Sequence, residues 1–143
     1  MIMPYEYLDH EADIGIRGIG DSLAEAFAEG AQAMFSIMAD LETVVLQESV
    51  TIHCEAPDAE TLFVEFLNEL LFQREVRDLL LSRCQVKELQ QGAGGWYLDA
   101  LAWGEPLDPD HHEVLTEVKA ATYSGLKIFR QNGQYVVQCV VDV

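Results

Sequence analysis

The residues with most chemical capacity stand near the two ends of the chain. Asp9-His10-Glu11-Ala12-Asp13 gathers acids around an imidazole, and carboxylates are hard oxygen donors suited to Ca²⁺ or Mg²⁺. At the other end, the apolar run Tyr135-Val136-Val137-Gln138-Cys139-Val140-Val141 stops at Asp142-Val143. A core strand running that far would hold the Asp142 carboxylate beside the α-carboxylate of Val143, and a cation is one way to neutralise such a pair. If Asp13 comes close, three oxygen donors converge. The competing readings are a solvated acidic turn and an ordinary strand end with hydrated charges.

Other candidates carry less chemistry. Lys119, beside Glu117 on an otherwise apolar stretch, reads either as half of a surface ion pair or as a reach towards an anionic group on a partner. His111-His112 sit in a proline-containing loop and are expected to face solvent. Ser124 lacks a GxSxG elbow, and neither a P-loop nor GxGxxG occurs. Cys54, Cys84 and Cys139 are widely spaced, odd in number and without a CxxC pair. They are expected to be structural thiols, not a zinc knuckle, a redox site or a disulfide framework.

The chain that must position these groups has 143 residues, 8 basic and 25 acidic, for a net charge of −17. Half of it is hydrophobic, so an acidic folded domain is expected and a disordered tail is excluded. Tight binding to a phosphate backbone needs many Lys and Arg, and this chain has few. A role in nucleic-acid metabolism would therefore run through a basic protein partner, with no direct nucleic-acid binding. The first residues lack the layout of a signal peptide, and no apolar run approaches the roughly 20 residues that span a bilayer. A reduced, cytoplasmic setting without membrane contact is expected.

Periodicity places the elements. Ile14 to Ile19 alternates as a short strand. Ser22 and Glu25 have capping-box spacing, and Leu23, Ala26, Phe27, Ala31, Met34, Phe35 and Met38 follow as one helical stripe, read as core and not as a cofactor pocket. Val50, Ile52 and Cys54 suggest a strand. Asp58 then caps a second helix with Leu62, Phe63, Phe66, Leu67, Leu70 and Leu71 as its stripe. Asn68 and Glu69 within it are either exposed or hydrogen-bonded. Arg83–Leu89 and Trp96–Trp103 flank a glycine-rich turn, and Asn132-Gly133 marks a hairpin between Leu126–Arg130 and Gln134–Val141. Thr116–Tyr123 reads as another strand, and Gly104 to His112 as a loop. The expected class is α+β, with two main helices packed on a mostly antiparallel sheet.

With these residues in place, a resemblance emerges. Tyr5-Glu6-Tyr7-Leu8-Asp9-His10-x-Ala12-Asp13-Ile14-Gly15-Ile16 resembles the opening signature of the archease family. Phe66–Phe72, Gly104-Glu105-Pro106, Thr116–Tyr123 and the closing Val140-Val141-Asp142-Val143 are similar to its later motifs, in the same order. The likeness spans essentially the whole chain, and one archease domain over residues 1–143 with an SHS2-type fold is implied.

What the resemblance implies is a non-enzymatic activator of the RtcB-type tRNA-splicing ligase. It would promote guanylylation of the ligase's histidine and support repeated turnover. The family's metal ligands fall on Asp13, Asp142 and Val143, and Lys119 matches a lysine implied to contact the ligase. A divalent cation is implied, Ca²⁺ ahead of Mg²⁺ or Mn²⁺. This copy departs from the family pattern at Glu11, where Thr is usual, at His111, where Lys precedes His, and at Ser124, where His is common. The alternative from another class is a chaperone-like modulator of an RNA-modifying enzyme such as a tRNA methyltransferase. A hydrolase built on the same carboxylates would lack a general base.

Overall fold

The computed structural model describes residues 4–9 and 13–143. His10, Glu11 and Ala12, the middle of the N-terminal acidic cluster, lie outside the described residues. The order is β1 (Tyr5–Asp9), β2 (Asp13–Gly20), α1 (Leu23–Met38), a 3-10 turn (Leu41–Thr43), β3 (Glu48–Ala56), α2 (Ala59–Arg77), β4 (Leu79–Gly92), β5 (Gly95–Pro106), β6 (Ala120–Ala121), β7 (Lys127–Gln131) and β8 (Gln134–Asp142). The α+β expectation holds, with the antiparallel strands divided between two sheets. One has the order β1-β2-β8, with β6 and β7 sharing the far edge of β8; the other is β3-β5-β4.

Local chemistry explains the helix boundaries. Glu25 N–H donates to Ser22 Oγ at 3.1 Å, and Glu25 Oε2 reaches back to Asp21 N–H, one residue earlier than an ordinary capping box. Asp58 Oδ1 accepts from Thr61 N–H at 2.7 Å and starts α2. That helix ends where Asp78 turns left-handed, at φ 52°. At the β7–β8 turn both Asn132 (φ 54°) and Gly133 (φ 80°) are left-handed, the geometry a two-residue hairpin needs.

The core forms where the apolar stripes meet. Phe27 of α1 lies 5.0 Å from Phe63 and 6.1 Å from Phe66 of α2, centroid to centroid. Met34, Phe35 and Met38 are buried in that core, so the methionine and phenylalanine stripe is packing. All three cysteines are free and buried, and burial pushes their thiols up to about 12, as structural thiols should behave. No helix is long and apolar enough to cross a membrane among the described residues.

Three features differ from the sequence reading. A strand at Tyr5–Asp9, not read from the sequence, pairs with β2. Gly104–Pro106 belongs to β5, so the loop begins at Leu107. Of the expected strand Thr116–Tyr123, only Ala120–Ala121 is one. The reason is competition for hydrogen bonds. Leu115 and Thr116 donate to the carbonyls of Met38 and Ile37 at the end of α1, groups that a helix leaves without internal partners.

Close backbone approach holds β2 on α1. A Cβ at Gly18 would stand 2.1 Å from the carbonyl oxygen of Ala26. Gly18→Ala should therefore displace α1 and lower stability by about 2 kcal/mol or more, read as a lower urea midpoint with the m-value retained.

Candidate functional site

The β2–β8 ladder pairs Ile14 with Val141, Ile16 with Cys139 and Gly18 with Val137. Among these, Ile16, Val137, Cys139 and Val141 are at most 1 % exposed, so this face of the ladder is core. Side chains alternate along a strand, and the end rung therefore turns the other way. That rung is Asp13 opposite Asp142. Directly opposed residues have Cβ atoms about 5 Å apart, and like charges so placed repel. Asp13 is half-buried and Asp142 exposed. Neither carboxylate has a hydrogen-bond or ion-pair partner among the described residues. Val143 follows directly and packs, partly buried, against the core. The register thus brings Asp13, Asp142 and Val143 to one end of one sheet, a donor set of hard oxygens that fits a divalent cation.

On the opposite edge of β8, Ala120 pairs with Asp142 and the Lys119 N–H donates to the Asp142 carbonyl at 2.8 Å. The Lys119 side chain is exposed and forms no ion pair, with Glu117 or any other described residue. One strand residue is held here by a side chain that the sequence left open. Asn68 of α2 accepts the Ala121 N–H at 2.8 Å and donates to the Ala121 carbonyl at 3.1 Å, completing the pairing a neighbouring strand would otherwise supply. Ser124 is exposed, its N–H 3.3 Å from Thr122 Oγ1.

A second cluster, Glu105, His111 and His112, has the residue types of a metal site, with ligand atoms all within 4.8 Å of one another. His112 is fully buried and not solvent-facing as expected; His111 is exposed. The proton on His112 decides the chemistry. Its Nδ1 accepts the Asp108 N–H at 2.9 Å, so in the neutral ring Nε2 carries the hydrogen and offers no lone pair to a metal. Nε2 lies 3.1 Å from Glu105 Oε1, though off the line of a good hydrogen bond. The other Glu105 oxygen accepts the Val45 N–H. Glu105 thus ties the Val45 segment to β5, and His112 braces its own loop through Asp108.

The remaining histidine among the described residues sits on the three-stranded sheet. His53 Nδ1 lies 2.7 Å from Asp99 Oδ1 and Nε2 2.9 Å from Glu55 Oε2. Hydrogen bonds to Glu55 and then Asp99 raise its pKa above the ordinary value, outweighing a small desolvation effect.

Residues 5–143 match the Archease protein family (MTH1598/TM1083). The chain is similar to protein archease of Methanopyrus kandleri, 39 % identical over 141 residues that cover 99 % of this chain and 100 % of that one. Against protein archease of Pyrococcus furiosus it is 39 % identical over 140 residues, 97 % of this chain and 98 % of that one. The solution structure of Methanobacterium thermoautotrophicum protein 1598 superposes with a TM-score of 0.86 at 30 % identity, covering 98 % of this chain and 99 % of that one. A crystal structure from Thermotoga maritima, described as an archease and possible chaperone, shares the fold with a TM-score of 0.60 at 21 % identity, covering 100 % and 98 %.

Two measurements follow from this geometry. Asn68→Ala leaves the Ala121 N–H and C=O without their side-chain partner and should cost about 1–3 kcal/mol, with faster amide exchange at Ala121. NMR titration should place the His53 pKa above about 6.5, and Glu55→Gln with Asp99→Asn should bring it down. The linkage sign is set by that rise. The stabilisation from these bonds is complete below the unfolded pKa and fades as pH climbs through the raised folded value. Because the ring is exposed, the effect on unfolding should be small.

Proposed function

The chain belongs to the archease family, and on that premise we propose that it is a non-enzymatic, cytoplasmic activator of an RtcB-type RNA ligase. It promotes the ligase's guanylylation and multiple turnover, in tRNA splicing or RNA repair. The observation that carries this reading is the Asp13–Asp142 rung, two like charges opposed without an ion-pair partner among the described residues. Asp13, Asp142 and a main-chain oxygen of Val143 hold a divalent metal, Ca²⁺ first, with Mg²⁺ or Mn²⁺ as the alternatives. When bound, such an ion supplies charge that stabilises oxygens around a phosphorus undergoing nucleotidyl transfer.

The chain's own residues supply the geometry. The apolar ladder behind the rung holds both carboxylates at the end of one sheet. Lys119, bonded through its backbone to Asp142, has an exposed side chain with no ion-pair partner among the described residues, suited to an anionic group on the ligase. The net charge of −17 steers the protein to a basic surface and away from RNA. The covalent step stays with the ligase.

A second reading is a chaperone-like modulator of an RNA-modifying enzyme such as a tRNA methyltransferase. It draws on Phe72 and Val76, one turn apart on α2 and 55 % and 59 % exposed. It requires no metal.

Guanylylation of the cognate ligase, measured with GTP across a Ca²⁺, Mg²⁺ and Mn²⁺ series, separates the two. Asp13→Asn and Asp142→Asn should each lower stimulation by about tenfold or more. In chelator both variants should melt no lower than the parent, since each removes a repulsion. The metal-dependent rise in Tm of the parent should vanish in both. Full stimulation by both variants would remove the reading, and indifference to chelator would favour the chaperone.

A further inference from the structure

The long strand β4 gives one edge to β5, and among the described residues its other edge takes no backbone hydrogen bond. Along that edge, between β4 and α1, run three adjoining cavities of about 580, 630 and 250 Å³. They form one groove. The first two share Glu29, Cys84 and Gln85, and the last two share Gln32, Leu46 and Arg83. Its α1 wall is the helix's solvent stripe, Glu25, Glu29 and Gln32. None of its lining residues belongs to the Asp13–Asp142 rung.

The charge of this groove is one-sided. Asp21, Glu25, Glu29 and Glu42 line it against a single cation, Arg83. Glu29 is the informative member. It is partly buried and has neither a hydrogen-bond nor an ion-pair partner among the described residues. Burial, and then the nearby Glu25, raise its pKa. A second copy of this chain, at −17, is an unsuitable occupant.

Dimensions select the form of the ligand. An α-helix of 16 residues is about 24 Å long, the span of about seven residues in an extended chain. Glu25 and Glu29 are separated by about 6 Å of helix rise, close to the roughly 6.7 Å between alternate side chains of a strand.

We propose that this groove binds an extended Lys- or Arg-rich segment of a partner protein, which adds as a strand to the free edge of β4 and sets alternate basic side chains against Glu25 and Glu29. Main-chain bonds to β4 give the segment its register, and the acidic wall selects its charge. The inference stands apart from the metal-dependent reading above, because it uses other residues and needs no ion.

The test uses the full-length ¹⁵N-labelled chain and a synthetic peptide of four Lys-Val repeats. Binding should shift the amides of Arg83–Val86 and slow their exchange. Glu29→Gln should weaken it by about five-fold, and Glu29→Lys further. A peptide of Glu-Val repeats should not bind, and N-methylation of alternate peptide amides should abolish binding in one of the two possible phases. The proposal is overturned by any of four results: no binding at millimolar peptide, shifts centred on Asp13 and Asp142, equal binding by both N-methylated peptides, or dimerisation of the free chain through β4. Loss of ligase stimulation in Asp13→Asn with peptide binding intact would leave this groove standing alone.

Discussion

The antiparallel pairing of β2 with β8 is the constraint on which most of this molecule depends. Its inner face buries Ile16, Val137, Cys139 and Val141 against the helices, and a slip of one residue would turn that whole face outward. The register is therefore set by hydrophobic burial, which begins at the rung next to the groups of chemical interest. Asp13 and Asp142 meet as a consequence. Their rung costs a few tenths to about 1 kcal/mol, a small charge against a ladder of buried aliphatic side chains. A local conflict placed where the fold can absorb it is characteristic of sites and uncommon in scaffolding.

The irregular stretch after β5 is held by buried polar groups in place of a ladder. Glu105 takes the Val45 N–H and stands against His112, while His112 takes the Asp108 N–H. Further along, Asn68 clamps Ala121, and the Asp142 carbonyl takes the Lys119 N–H. Each bond fixes a point of chain that lies in no strand or at the margin of one. Lys119 is thereby held next to the paired aspartates even though it lies on no regular element. Two surfaces of excess negative charge result, one at the end of the β2–β8 ladder and one along α1 and β4. They differ in form: two opposed carboxylates at the end of a ladder, or acids spaced along a helix beside an open strand edge.

Much of the fold was legible because its signals are local. Ser22 and Asp58 announce both helix starts through side-chain acceptors close in sequence. Asn132-Gly133 supplies the two left-handed residues its turn requires. The misreadings share a different cause. Thr116–Tyr123 alternates well enough for a strand, yet the Thr116 amide, with that of Leu115 before it, is drawn to the carbonyls ending α1. His112 looks like a loop residue until Glu105 and Asp108 enclose it. Asn68 could be assigned only once Ala121 was known to lie beside α2.

The amino-acid order by itself determined the acidic character, the two helices, the hairpins, the family likeness and the identity of the residues able to donate oxygen. Those follow from composition and from periods of two and 3.6, which nearest neighbours in the chain already express. Only the tertiary structure decided that Asp13 opposes Asp142, that Asn68 completes β6, that His112 is occupied by loop contacts, and that β4 keeps an open edge. Each of these joins segments far apart in the chain or leaves one unjoined, and such pairings are selected by the burial of the whole core.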